Sequence, residues 1–165
     1  MFDVVVYGPK GSQPTGTPIQ IEVRVRNAGD RESWAVGVLD GSEDGIRYPA
    51  YRPLVTRDGA VVAQPGTPED PLVAPLRTAD FRLLAPGEEF DPTGPGYLPL
   101  ATFANFTPDR PGMHRYTLTL STESRRPEDW LGRSRQDPER AAALALAARV
   151  PRVTVTSAPL DIEVH

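Results

Sequence analysis

The chain has 165 residues, 39% of them hydrophobic, which is enough for one domain with a core and short for two. Its net charge of -4 and its lack of cysteine exclude a global attraction to nucleic acid or anionic membranes, a disulfide framework, a thiolate nucleophile and cysteine-ligated zinc. The 19 prolines and 14 glycines, against an average proline usage of about 5%, exclude long helices and describe a chain broken by many turns.

The opening, MFDVVVYGPKGS, lacks the basic start and apolar run of a secretory signal. No segment approaches the roughly 20 apolar residues of a membrane span. A native start at Met1 implies the cytoplasm, whereas a trimmed leader would place the protein in the periplasm or outside the cell. Gly8-Pro-Lys-Gly-Ser12 does not have phosphate-loop spacing, and Pro9 removes an amide donor, so it reads as a linker after an edge strand.

The sharpest period-two pattern lies at residues 18–27, where Ile19, Ile21, Val23 and Val25 alternate with Gln20, Glu22, Arg24 and Arg26. One buried and one wet face define a half-exposed strand, and Asn27-Ala-Gly-Asp30 supplies the turn after it. Residues 34–39 read as the next strand, ending at DGSEDG. Beyond a proline-marked corner at 48–53, apolar residues at 54–55 and 60–63 flank Thr56-Arg57-Asp58-Gly59, a strong hairpin signal. Residues 64–75 form a proline-rich loop without apolar periodicity, which should be mobile. A short strand at 81–84 closes on Ala85-Pro-Gly-Glu88, and another is expected over 98–106 through Leu98, Leu100 and Phe103, with Pro99 confining its start to a sheet edge.

Pro111-Gly112 then turns the chain into a second well-patterned strand, with His114, Tyr116, Leu118 and Leu120 on one face and Arg115, Thr117 and Thr119 on the other. Residues 153–156 and 160–164 finish as a strand pair, or as one strand interrupted by Pro159. A single helix is expected over about 138–149, because Asp137 offers a cap, Pro138 a first-turn residue, and strong helix formers follow. Its docking face would run through Leu144 and Ala148, beside Leu146 and Val150. About nine short strands separated by turns favour an all-β, two-layer antiparallel sandwich.

The most chemical-looking motif is DGSEDGIRYPAY, residues 40–51. Asp40, Ser42, Asp44 and Gly45 match the first half of a helix-loop-helix calcium loop, but Tyr51 stands where the bidentate glutamate is required. Only a looser metal site using Asp40, Glu43 and Asp44 survives, and a solvated turn accounts for the same residues better. His114, on an inward strand face, fits a hydrogen-bonded core residue better than a catalytic base. Adjacent carboxylates such as Glu88-Glu89 point to opposite faces of a strand and make poor acid–base couples. No catalytic residue and no cofactor is therefore assigned.

Basic residues cluster at Arg125, Arg126, Arg133 and Arg135, around Trp130. Tryptophan with arginine is the composition of an interface hot spot, although Trp130-Leu131 stapling the helix onto the sandwich accounts for the pair slightly better. Tyr48, Tyr51 and Tyr97 sit in proline-rich loops, where they either extend such a surface or pack the loops down.

IEVRVRNAGD, TRDGAVV, LLAPGEEF and PGMHRYTLTLST, in that order, resemble bacterial immunoglobulin-like β-sandwich domains, namely CARDB-like accessory domains and intracellular proteinase-inhibitor domains. The resemblance covers roughly residues 17–122 and the last strand, and the helix-bearing insertion at 123–149 departs from it. It implies a domain that binds or presents something without chemistry, and the length implies a single domain over residues 1–165. The expected function is recognition of a protein partner, as an inhibitor or immunity protein acting by steric occlusion, through Arg125, Arg126, Trp130, Arg133, Tyr48 and Tyr51. The alternative is an extracytoplasmic accessory module binding calcium or carbohydrate.

Overall fold

The structure, a computed structural model, describes residues 1–67, 73–132 and 139–165. It is mostly β, with antiparallel strand pairs and short helices. In chain order the strands are β1 (Phe2–Tyr7), β2 (Glu22–Asn27), β3 (Ser33–Val36), β4 (Ala50–Arg57), β5 (Ala60–Ala63), β6 (Phe81–Leu84), β7 (Glu89–Phe90), β8 (Gly112–Ser121), β9 (Thr154–Thr156) and β10 (Leu160–Val164). The helices are α1 (Ala101–Asn105), α2 (Glu128–Leu131) and α3 (Arg140–Ala147), with a 3-10 turn at Thr78–Asp80.

Three sheets share one core. The first is ordered β1-β2-β7; the second β10-β8-β4-β5, with β9 also on β8; the third is the pair β3-β6. The alternation in the sequence sets which side chains meet. Phe2, Val4 and Val6 of β1 and Val23 and Val25 of β2 join Tyr116, Leu118 and Leu120 of β8, Val36 of β3 and Phe81 of β6 in a continuous apolar cluster. His114 shares the inward face of β8, with its Nδ1 3.2 Å from the Gly112 carbonyl.

β9 and β10 lie on the same side of β8, in register with its C-terminal and N-terminal halves respectively. They are one strand interrupted at residues 157–159. Ser157 bridges the gap: its N–H donates to the Leu118 carbonyl and its Oγ accepts from the Leu118 N–H. Asn27, fully buried, fixes the turn after β2 by donating to the carbonyls of Arg31 and Leu84 while its Oδ1 accepts the Gly29 N–H.

Several sequence expectations are corrected. The strand expected over 98–106 is instead α1 flanked by extended residues, because Leu100 and Phe103 face the core at helical spacing. The fold has three α-helices among the described residues rather than one. The helix expected over 138–149 is described as Arg140–Ala147, with Asp137 and Pro138 outside the described residues. It docks through Ala143, Ala147 and the following Val150; Ala148 is exposed. The small side chains let this helix lie close to α2 and the 3-10 turn. Of the loop at 64–75, residues 68–72 are outside the described set.

Candidate functional site

The aromatic residues expected at a recognition surface are inside the protein. Trp130 is 1% exposed; its Nε1 donates to the Ser124 carbonyl, its ring lies 6.1 Å from Tyr48, and the Arg152 guanidinium sits 4.8 Å above it. Tyr51 is 0% exposed, and its hydroxyl donates to the Val36 carbonyl at 2.6 Å. Tyr48 is half-buried and follows this packing through its N–H, which donates to the Asp129 carbonyl. Trp130 and Tyr48 pack residues 124–130 against the core, and none of these three aromatic residues is exposed. Arg125 and Arg126 remain exposed, Arg126 within 3.9 Å of Glu128; Arg133 lies outside the described residues.

The carboxylates of the 40–45 loop do not converge. Asp40 Oδ2 accepts the Ala74 N–H at 3.2 Å. Glu43 reaches across to α1, where its two oxygens accept the N–H groups of Ala101 and Thr102 at 3.0 and 2.9 Å. Asp44 Oδ1 is 3.5 Å from the Ile46 N–H. Each oxygen completes a backbone donor, and among the described residues no group of three or more His, Asp or Glu side chains could hold a metal ion. Beneath the loop, buried Arg47 donates to the carbonyls of Asp40, Ala74 and Trp130, tying three segments together.

The surface most open to a partner is the free edge of the second sheet. Among the described residues β5 pairs only with β4, through a two-residue turn in which Asp58 and Gly59 have φ of 51° and 83°. Two positive φ values match the twist of the flanking strands, which is why Asp-Gly stands there. A bulge between Val55 and Thr56 shifts the register. Val61 and Val62 are 51% and 38% exposed, and β5 carries no charged side chain. Other edges are managed differently. The outer side of β10 is taken by Gln13, β7 has two residues, and β1 carries Asp3 and buries alternate side chains.

Beyond β5 the chain forms one wall of an open groove of about 530 Å³, lined also by Glu43, Asp44, Thr102, Asn105 and Phe106. α1 stands in place as the opposite wall because Glu43 satisfies its first amides, which no earlier turn can do. The hairpin was legible in the sequence; the groove was not, since it depends on Glu43 meeting a helix 58 positions later in the chain.

Among the described residues no helix is long and apolar enough to cross a membrane. No family model, curated protein or solved structure matches the chain.

Proposed function

We propose that this chain is a non-enzymatic, immunoglobulin-like β-sandwich that recognises a protein partner by accepting an extended segment of it along β5. The observation that carries this reading is an uncharged, solvent-facing valine strand whose outer edge is unpaired among the described residues, leading directly into a groove. Exposed backbone donors and acceptors on a sheet edge are a template for another strand, and natural proteins usually guard them with charge. Masking a partner's segment in this way would block it sterically, as an inhibitor or immunity protein does. The groups examined for chemistry fit this reading: His114 is buried against Phe106 and Gly112, and the loop carboxylates serve backbone amides.

The test is affinity capture from the source cell with the wild-type chain and two variants, Val61→Pro and the double change Arg125→Ala/Arg126→Ala. The expected result is a stoichiometric protein held by wild type and by the arginine variant and lost with Val61→Pro. A partner held equally well by Val61→Pro and released by the arginine variant would move the site to the 123–132 segment. Substrate turnover that disappears in His114→Ala with the fold intact would overturn the non-enzymatic reading.

A further inference from the structure

Resting on the strand-addition reading above, we infer that the segment accepted by β5 is a basic one: an extended strand with β-branched residues over Val61 and Val62, ending in a lysine or arginine that enters the groove at Asp44.

The ladder fixes what β5 offers. In a two-residue hairpin the closing pair, here Arg57 and Ala60, is the hydrogen-bonded kind. The next pair, Thr56 and Val61, is therefore the kind whose N–H and C=O point away from each other. Val61 accordingly directs its backbone donor and acceptor to the open side. A strand laid there sets its side chains beside the exposed valines, where β-branched residues pack best. Residues 64–67 continue past β5 as a wall of the groove, so a segment extended along β5 runs into it.

The groove sets the charge of what arrives. Its lining includes Glu43 and Asp44 and no lysine or arginine. Glu43 is committed to two amides of α1, whereas among the described residues Asp44 has only the long contact to the Ile46 N–H. Arg52 lies beside Gly45 but forms no ion pair with either carboxylate. Asp44 can therefore accept a cationic side chain, and a chain of net charge -4 speeds the approach of a basic segment.

A second copy of the chain does not fit this site. Edge-to-edge pairing would bring together four residues of β5 from each side, far fewer than the roughly 20 a side of a stable interface. Self-pairing would also bring two grooves with acidic linings toward each other.

Two short, end-capped peptides test this, sharing an alternating valine–threonine core and ending in two lysines or in two glutamates. Each is titrated into the isotopically labelled full chain while backbone amide shifts are followed. The lysine-ended peptide should move the amides of Asp44 and of residues 60–67 saturably. Asp44→Asn should weaken it roughly two- to fivefold, and added salt should weaken it similarly. Val61→Pro, which removes an outward N–H and leaves the β4 pairing, should abolish the response. Because a proline could disturb the hairpin, Asp44→Asn stands as the independent variant. Equal binding of the glutamate-ended peptide at residues 60–67 would overturn the basic-segment inference and leave strand addition standing. No shift with either peptide, while a captured partner still depends on Val61, would overturn it too. A concentration-dependent dimer broken by Val61→Pro would make a second copy the occupant and overturn both.

Discussion

Two core tyrosines place their hydroxyls in opposite situations. The Tyr51 hydroxyl donates to the Val36 carbonyl, joining β4 to β3 across the core, and burial pushes its pKa well above the ordinary range. The Tyr116 hydroxyl, pushed up to about 12 by burial, has no hydrogen-bond partner among the described residues, and the ring that carries it packs against Phe103 and Phe106. Removing half of a buried hydrogen bond leaves the other half unsatisfied, whereas removing an orphaned hydroxyl removes a penalty. Tyr51→Phe should thus cost about 1–2 kcal/mol, while Tyr116→Phe should be neutral or stabilise by up to about 1 kcal/mol. Urea midpoints of the two variants, measured beside wild type, check the opposite signs. The same contrast explains why tyrosine position in the sequence was a poor guide. Tyr51 lies two residues after Pro49 and reads as a loop residue, but residues 50–57 form β4 and turn it inward.

At the scale of elements, α1 shows how a distant side chain decides local structure. Its five residues are too few to hold a helix by propensity, and its first amides are met by Glu43. Glu43→Ala should cost about 1 kcal/mol and loosen α1, seen as faster hydrogen exchange of the Ala101 and Thr102 amides with β8 unchanged. Strands β2, β8 and the β4–β5 hairpin were legible because alternation and Asp-Gly are local signals. The strand expected at 98–106 was misread because its helical state rests on a non-local cap, and Trp130 was misread because the charges around it in sequence do not accompany it into the core. The candidate surface shares that origin: valines in β5 are visible in the sequence, their exposure is not. The β8–β10 pair carries a pH-dependent element. Arg115 and Asp161 are cross-strand partners joined by two hydrogen bonds of 2.8 and 3.0 Å, and Arg115 holds the Asp161 carboxyl below its ordinary value. A lowered folded pKa stabilises the fold above the unfolded value of about 3.9 and ceases to do so as pH falls through the folded one. Asp161→Asn should therefore cause a small loss at neutral pH, limited by solvent screening. The difference from wild type should vanish in urea titrations well below pH ~3.9.

For the whole molecule, the question is whether the three sheets unfold together. One apolar cluster contains residues from β1, β2, β3, β4, β6, β8 and β10 and from all three helices, so separating any sheet exposes part of the core shared by the others. The two tryptophans sample it from different places. Trp34 lies in β3 with the Arg149 guanidinium 5.8 Å from its ring centre, and Trp130 lies in α2 beneath Arg152. Trp34→Phe leaves fluorescence from Trp130 alone, and Trp130→Phe leaves it from Trp34 alone. In each variant the fluorescence and far-ultraviolet dichroism curves in urea should superimpose, because a shared core makes unfolding a single transition. Trp130→Phe should lower the midpoint further than Trp34→Phe, since Trp130 is the more deeply buried ring and its Nε1 satisfies the Ser124 carbonyl. Curves that separate in either variant would divide the chain into independently folding units and would place β5, with its groove, on only one of them.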